Sequence, residues 1–330
     1  MTSSPARSDP PPLLGLLSAQ VPVSGAELAA RLRISRAAVW KQIETLRAAG
    51  VVVEACAGRG YRLARALEPL DAAAIRQALP TAVREHPGAL ETHWKLDSTS
   101  SELARRAARL PDRSFVFADM QTAGRGRRGR TWLSPPAGNV YFSCLKRFEQ
   151  GYAALSGLSL AVGVAVLHAL GDTGVGGVQL KWPNDLVTEQ GKLAGILIEL
   201  GGEFLGPCQA IIGVGINMHV PADARGAIEQ PVADLETLCG GDPPKRNVLA
   251  AGLITRLCTA LDDFARKGFA TFANDYAQND ALFGRALRVE DPRGAFEGTG
   301  AGIDERGALR VRTSVGERIV DSADVSIRPA

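Results

Sequence analysis

Hydrophobic positions near the start of the chain recur at the three- and four-residue spacing of short amphipathic helices. Serine stands immediately before two of these segments, where a side-chain oxygen can cap a helix. A run of valines and a Gly-Arg-Gly turn follow, and they predict a β-hairpin. The predicted helices cover residues 13–20, 25–32 and 35–48, and the predicted hairpin covers residues 51–63. This order indicates a winged helix-turn-helix over residues 13–66, behind a mobile tail of residues 1–12.

The third predicted helix has two distinct faces. Val39, Ile43 and Leu46 fall at positions i, i+4 and i+7, so they would pack on the core of this small domain. The other positions form a basic and aromatic surface that, with an arginine of the hairpin turn, suits DNA. The candidate DNA-contacting residues are Ser35, Arg36, Trp40, Lys41, Arg47 and Arg59. The alternative is a small helical interaction module whose basic residues are only solvated.

After the hairpin, apolar runs of strand length alternate with helical stretches, which predicts an α+β domain with a large mixed sheet over residues 67–282. The strand candidates are residues 115–118, 140–145, 195–200 and 210–216, and the helix candidates are residues 100–109, 157–170 and 248–264. Residues 283–330 break into short strands, such as 286–290 and 309–312, between Gly and Asp turns. We therefore expect a small β-barrel or sandwich at the C-terminus.

Composition narrows the possible classes of protein. A chain of 330 residues with 45% hydrophobic and 22% charged residues is typical of a globular protein of two or three domains. A net charge of +3 requires any basic site to be local. Five cysteines without a C-x-x-C pair are expected to be reduced thiols, and four histidines without i,i+4 spacing give little support to a histidine metal site. No apolar run reaches membrane-spanning length, so we expect a cytoplasmic protein without a membrane partner.

Four arginines and three glycines make up residues 124–130, between two predicted strands, and we name this segment the Gly-Arg loop. Glycine permits close approach of the backbone to a ligand, and arginine offers forked, charged donors suited to carboxylates and phosphates. A P-loop is rejected because no helix follows, and RNA-binding Arg-Gly segments belong to low-complexity tails. We expect an anion-binding loop that is mobile when empty and folds over its ligand, the alternative being a solvated loop.

A second motif, Lys-Trp-Pro-Asn-Asp at residues 181–185, ends an apolar stretch, and we name it the KWPND turn. Proline restricts the local backbone, so a cation, an amide and a carboxylate are held close together. Such a group suits a nucleotide with its metal. An ordinary polar turn with a local salt bridge explains the pattern equally simply. Two further segments, residues 97–100 and 213–218, are polar or glycine-rich, but helix capping or a glycine-containing strand would account for them.

Taken together and in this order, the motifs resemble the biotin protein ligase family, specifically its bifunctional members that are also biotin operon repressors. The resemblance covers residues 97–99, Gln121, the Gly-Arg loop with Trp132, the KWPND turn, and residues 192–199 and 213–218, while residues 35–41 and 58–61 match the repressor's DNA-binding domain. It implies a winged helix-turn-helix domain (13–66), a biotin/lipoyl ligase domain (67–282) and a C-terminal SH3-like β domain (283–330).

The resemblance also implies roles for individual residues. Those implied to surround biotin are Ser98, Thr99, Ser100, Gln121, Gly124, Arg125, Gly126, Arg127, Lys192 and Gly195. Those implied to bind ATP are Arg130, Trp132, Lys181, Asn184, Asp185 and Asn217, with Mg²⁺ at Asp185. Ser100 departs from the family pattern, since many members have asparagine there.

The chemistry of the implied reaction agrees with these residues. Attack of the biotin carboxylate on the α-phosphorus of ATP brings two anions together and needs dense fixed positive charge. Arg127, Lys181 and Asp185 are therefore the candidate catalytic residues. The expected partners are the biotin carboxyl carrier protein of acetyl-CoA carboxylase, biotin operator DNA, and a second copy of the chain when the adenylate is bound. Alternatives are a lipoate protein ligase, a ligand-sensing DNA-binding regulator without ligase activity, and a ligase whose helix-turn-helix is a structural relic.

Overall fold

The structure is a computed structural model that describes residues 9–85, 88–291, 294–321 and 326–329. The predicted tail therefore lies outside the described residues as far as residue 8. The N-terminal domain has two full helices and a hairpin: α1 (Gly25–Leu32), α2 (Arg36–Ala48), β1 (Val53–Cys56) and β2 (Gly60–Leu63). The hydroxyls of Ser24 and Ser35 accept backbone N–H groups in the first turns of α1 and α2, so both predicted caps are confirmed.

One local expectation for this domain is wrong, and one predicted DNA-contacting side chain is used within the domain. Residues 13–20 form only one 3-10 turn, Leu14–Leu16, because the Ser18 hydroxyl accepts the N–H groups of Gln20 and Val21 and ends helical bonding. Arg47, a predicted DNA-contacting residue, makes its contacts within the domain. Its guanidinium donates twice to the carbonyl of Val53 at 2.9 and 2.7 Å, which ties α2 to β1.

The central domain is built on a mixed sheet, which has seven strands in the described ranges, in the order β3-β4-β5-β9-β8-β7-β6. The strands are β3 (Leu90–Leu96), β4 (Ser114–Gln121), β5 (Val140–Phe148), β6 (Gln179–Lys181), β7 (Asp185–Thr188), β8 (Gly191–Gly202) and β9 (Cys208–Ile216). β3 and β4 run parallel, and the other neighbouring strands run antiparallel. The predicted mixed sheet is therefore confirmed.

Helices cover both faces of this sheet. They are α3 (Ala72–Ala78), α4 (Thr81–Arg84), α5 (Thr99–Arg106), α6 (Leu158–Asp172), α7 (Ala222–Gly226), α8 (Leu235–Leu238), α9 (Arg246–Lys267) and α10 (Ala273–Gln278). Leu103 of α5 packs against Val116 and Leu145 on one face. The apolar side chains of α6 and α9 fill the main core on the other. None of the helices in the described ranges is long and apolar enough to cross a membrane.

The C-terminal domain is an antiparallel sheet in the order β13-β12-β11-β10-β14. Its strands are β10 (Ala286–Asp291), β11 (Gly294–Ile303), β12 (Leu309–Thr313), β13 (Gly316–Val320) and β14 (Ser326–Pro329). β13 and β14 do not pair with each other among the described residues, so the sheet is open and a closed barrel is not confirmed. Its buried face, with Leu287 and Val311, belongs to the same core as α6 and α9.

The segment that directly follows the N-terminal domain is fixed to the central domain through buried polar groups. Arg246, at the start of α9, is 5% exposed, and its guanidinium contacts the Asp119 carboxylate at 2.7 Å and the carbonyls of Asn139 and Glu68. The Glu68 carboxylate in turn accepts the N–H of Arg246 at 2.7 Å. Burial raises the pKa of Asp119, although Arg246 opposes that rise. The linker between the two domains is thus held in place rather than loose.

Candidate functional site

Glycines on two neighbouring strands open the sheet face beside α5. Gly195 of β8 lies opposite Gly215 of β9, and the indole of Trp132 lies directly on both. A Cβ atom at Gly195 would lie 2.8 Å from that indole, and one at Gly215 would lie 2.6 Å from it. Any larger residue at either position would therefore push Trp132 away. The Trp132 indole nitrogen is buried and has no hydrogen-bond partner within the described residues.

Polar side chains at the start of α5 meet the end of β4. Gln121 accepts the N–H of Thr99 through its side-chain carbonyl at 2.9 Å, and its amide nitrogen donates to the hydroxyl of Ser134 at 3.1 Å. Thr99 and Ser100 are both buried, and their hydroxyls lie 2.7 and 2.9 Å from that of Ser143 on β5. The predicted segment of residues 97–100 thus faces Gln121. Ser98 is the N-cap residue, but its side chain makes no capping hydrogen bond.

The carboxylate of Asp97 fixes the entrance to α5. It accepts two hydrogen bonds from the guanidinium of Arg105, at 2.7 and 3.0 Å, and one from the N–H of Ser98 at 2.8 Å. Arg105 is the main cause that lowers the pKa of Asp97. The turn that presents Ser98 and Thr99 therefore depends on an ionised carboxylate.

The Gly-Arg loop folds back on itself over this open face. The N–H of Gly126 donates to the carbonyl of Arg130 at 2.7 Å, and the N–H of Trp132 donates to the carbonyl of Gly124 at 2.9 Å. Gly124 is required because a Cβ atom there would lie 2.4 Å from the carbonyl oxygen of Trp132. Arg128 adopts a left-handed conformation with φ of 58°. The loop is thus closed mainly by its own backbone.

The arginines of the loop differ in what they reach. Arg125 forms an ion pair with Glu199 of β8 at 2.7 Å. Arg127 turns inward and donates to the side-chain carbonyl of Asn184 at 3.2 Å, which joins the Gly-Arg loop to the KWPND turn. Arg128 and Arg130 are exposed.

The KWPND turn connects β6 and β7 and is firmly packed. Trp182 is 2% exposed and its indole N–H donates to the carbonyl of Gly307 in the C-terminal domain at 3.0 Å. Asn184 pairs with Ile196 of β8 in both directions, through its amide nitrogen at 2.7 Å and its backbone carbonyl at 2.9 Å. Lys181 and Asp185 flank these anchors at the ends of the two strands.

Lys192 brings the remaining predicted residues together. Its ammonium lies 2.7 Å from the Asp185 carboxylate and 5.3 Å from the centre of the Trp132 ring. Asn217, at the end of β9, donates to the carbonyls of Lys192 and Ala233, each at 3.2 Å. The described residues contain no cluster of three or more His, Cys, Asp or Glu side chains that would hold a metal by themselves. A magnesium ion here would therefore rely on the carboxylate of Asp185 and on oxygens supplied by the ligand, which is a common arrangement.

Most of the predicted DNA-contacting residues are exposed on the N-terminal domain. Trp40 is 57% exposed on α2, and Arg36 and Lys41 of the same helix are exposed beside it. Arg59 is exposed in the turn of the hairpin. Ser35 caps the helix, so its hydroxyl is used within the domain.

Two residues of the site were missed from the sequence. Ser143 is the one polar residue in the otherwise apolar strand segment 140–145, and that was the only available signal. Ser134 lies in the connection after the Gly-Arg loop and carried no signal, because its partner Gln121 is distant in sequence.

Comparisons with known proteins agree with this geometry. A model described as the biotin/lipoate A/B protein ligase family matches residues 95–217, an HTH domain model matches residues 13–62, and a model of the biotin protein ligase C terminal domain matches residues 282–328. The chain is 38% identical over 286 residues to the bifunctional ligase/repressor BirA of Escherichia coli, covering 87% of each protein.

Other relatives match most of their own length. The biotin--[acetyl-CoA-carboxylase] ligase of Paracoccus denitrificans is 34% identical over 238 residues, which cover 70% of this chain and 97% of that protein. Among solved structures, the biotin protein ligase from Aquifex aeolicus in complex with biotin and ATP superimposes with a TM-score of 0.63 at 27% identity. That match covers 73% of this chain and 99% of the other.

Proposed function

Because the chain belongs to the biotin protein ligase family, we propose that it activates biotin with ATP and transfers the biotin to a lysine of the biotin carboxyl carrier protein. The observation that carries this proposal is the hydrogen bond of Arg127 to Asn184, which joins the Gly-Arg loop to the KWPND turn. It supports assigning the cations of both motifs, Arg127 and Lys181, to one site together with Lys192.

In the first step a biotin carboxylate oxygen attacks the α-phosphorus of ATP, and pyrophosphate leaves. Two anions approach each other, so positive charge that is already in place lowers the barrier. We assign this role to Arg127 and Lys181. Asp185, together with phosphate oxygens, would hold Mg²⁺, which would neutralise charge on the phosphates.

The polar and glycine-rich surfaces would bind the two substrates. Hydroxyl, amide and backbone groups would bind the ureido ring and the rest of biotin. These belong to Ser98, Thr99, Ser100, Gln121, Gly124, Arg125, Gly126, Lys192 and Gly195. Arg130, Trp132, Asn184 and Asn217 would serve ATP. The buried hydroxyls and the amide of Gln121 support the first assignment, because a polar ring needs donors and acceptors in a dry pocket.

In the second step the amine of the acceptor lysine attacks the carbonyl carbon of the adenylate, and AMP leaves. The mixed anhydride also hydrolyses in water, so a loop that closes over it protects it until the acceptor arrives. We assign this protection to the Gly-Arg loop. We also propose that the C-terminal sheet is an SH3-like domain, as its antiparallel order and its family model support.

Mass-spectrometric detection of biotinyl-AMP after mixing the protein with biotin and Mg-ATP tests the ligase function. Lipoate in a parallel reaction tests the rival substrate, since the family model that matches the central domain includes lipoate ligases. We expect biotinyl-AMP only. Lipoyl-AMP formed at a comparable rate would replace the proposed substrate, and formation of neither adenylate would leave a DNA-binding regulator.

We further propose that the protein, with biotinyl-AMP bound, dimerises and binds biotin operator DNA. One winged helix makes few base contacts, so specificity needs two half-sites. A surface for the second copy is available on the central domain. Within the described residues β7 pairs with β8 only as far as Gly195 and Asn184 bonds Ile196, so β8 beyond Ile196 is an edge without a partner strand on that side. The exposed side chains Tyr152, Leu200, Phe204 and Leu205 lie on and beyond it.

A gel shift on DNA upstream of biotin-synthesis genes tests this regulatory role. The affinity for this DNA should rise from the protein alone to the protein with biotin, and rise further when ATP is also added. With biotin plus ATP it should exceed the affinity of the protein alone by several-fold or more. Leu205→Glu should reduce the shift but leave biotinyl-AMP formation intact. Equal binding in all three conditions, or a shift that survives deletion of residues 1–66, would leave only the ligase.

A further inference from the structure

Three buried hydroxyls form a cluster beneath the start of α5. Ser143 is fully buried in the middle of β5, and its oxygen lies 2.7 Å from that of Thr99 and 2.9 Å from that of Ser100. Gly213 of β9 pairs with Ser143, and a Cβ atom on Gly213 would lie 2.8 Å from the Ser100 oxygen. The neighbouring strand therefore leaves just enough room for the cluster.

The number of protons in the cluster limits what each hydroxyl can do. A hydroxyl has one proton to donate and two lone pairs to accept with. Thr99 has two acceptors within reach, the oxygen of Ser143 and the side-chain carbonyl of Gln121 at 3.3 Å. The Ser143 oxygen is the nearer acceptor, and the Gln121 carbonyl already accepts the N–H of Thr99, so Ser143 holds this proton more firmly. Thr99 is left with a lone pair and no proton for a ligand.

The Gln121 end of the cluster continues to the Gly-Arg loop. The Gln121 carbonyl already accepts the N–H of Thr99, so its amide nitrogen faces Ser134, and the Ser134 hydroxyl donates to the carbonyl of Trp132 at 3.1 Å. One continuous run of hydrogen bonds thus connects Ser143 with the base of the loop. Its shortest side-chain contact is the one between Ser143 and Thr99.

We propose that Ser143 is a positioning residue that fixes the Thr99 hydroxyl as a hydrogen-bond acceptor for an N–H of the ureido ring of biotin. This rests on the proposed function. Biotin has two such N–H groups, so an acceptor held in one orientation in a dry pocket favours it over ligands without a ring N–H. Ser143 itself does not contact the ligand. Its effect should appear in biotin affinity and not in the affinity for ATP.

Calorimetric titration of biotin into the protein without ATP, followed by steady-state kinetics, tests the proposal. We expect Ser143→Ala to weaken biotin binding and to raise its KM by about five- to tenfold, as for one lost hydrogen bond. The KM for ATP and kcat at saturating biotin should change less than about twofold. Dethiobiotin, which keeps the ureido ring and lacks the sulfur, should lose affinity by the same factor as biotin.

The matched control is Cys144→Ala, the next residue of β5, which is also fully buried but packs on the opposite face of the sheet. It should bind biotin as the wild type does. Ser143→Cys keeps the size of the side chain and has only a weak donor, so it serves if the alanine variant does not fold. It should weaken biotin binding at least threefold.

The outcomes separate this proposal from the one that it rests on. A wild-type protein that binds no biotin would overturn both. If the wild type binds biotin but folded Ser143→Ala or Ser143→Cys binds it equally well, only the positioning role is overturned. An equal rise in the KM values for biotin and ATP would also overturn it, because that is the effect of a general loosening of the fold.

Discussion

The two motifs that supply positive charge to the site are held in opposite ways. The KWPND turn is anchored by the buried indole of Trp182 and by the paired hydrogen bonds between Asn184 and Ile196. The Gly-Arg loop is closed by its own backbone and has exposed arginines at 128 and 130. A charge that must be in place before the reaction benefits from the first kind of support. A segment that must admit substrates and then cover them benefits from the second.

The strongest way to break this comparison is to remove one cation from each motif. Arg127→Ala and Lys181→Ala should both fold and should both lower the rate of adenylate formation by about a hundredfold or more. The rate of pyrophosphate release at saturating biotin and ATP measures the rate of adenylate formation. Arg128→Ala, on the exposed side of the same loop, is the control and should stay near the wild-type rate. Wild-type rates in both site variants would refute the shared site.

Limited proteolysis compares the two supports directly. Trypsin should cut the Gly-Arg loop readily in the free protein and leave Lys181 uncut, because cleavage requires local opening of the chain. Biotin plus ATP should slow the cut in the loop by about tenfold or more. Mass spectrometry of the fragments identifies each site. If the loop is cut equally fast with and without ligands, it does not close over them.

A pair of tryptophan substitutions sharpens the comparison in terms of stability. Trp182→Phe removes the donor to Gly307 and should lower the free energy of unfolding by about 1–3 kcal/mol. Trp132→Phe removes no hydrogen bond within the described residues and should cost less than about 1 kcal/mol. Urea unfolding of both variants measures this. Equal losses would mean that the turn is no better anchored than the loop.

The smallest expected effect concerns the entrance to α5. Because Arg105 lowers the pKa of Asp97, their pairing stabilises the fold above the unfolded pKa of about 4 and loses this effect as pH falls through the lower, folded value. Asp97→Asn should therefore cost less than about 1 kcal/mol at pH 7, since Asp97 and Arg105 are both partly exposed. The difference in Tm between the wild type and this variant should become smaller as the pH is lowered toward 3. A difference in Tm that does not depend on pH would mean that the variant loses stability through packing and not through the ion pair.

Local features of the chain could be predicted, and contacts between distant segments could not. Ser24 and Ser35 act on backbone groups three residues away, so their spacing revealed both caps. The Gly-Arg loop and the KWPND turn were recognisable by composition. Ser143 meets Thr99 and Ser100 because α5 packs on β5, and Trp182 meets a carbonyl 125 residues away. The contact of Arg47 with Val53 was not predicted, because its carbonyl partner belongs to the hairpin, which the helix pattern does not contain.

The contact between Trp182 and Gly307 also affects how the molecule unfolds. The core of the central domain continues without interruption into the C-terminal sheet through Leu287, Val311 and their neighbours. Two layers that share one core lose it together, so they should melt in a single cooperative transition. A chain cut near residue 282 would then not be a shorter folded enzyme, since the cut would expose to water the apolar core that Leu287 and Val311 help to fill. Damage to about the last fifty residues would therefore appear as loss of the folded enzyme.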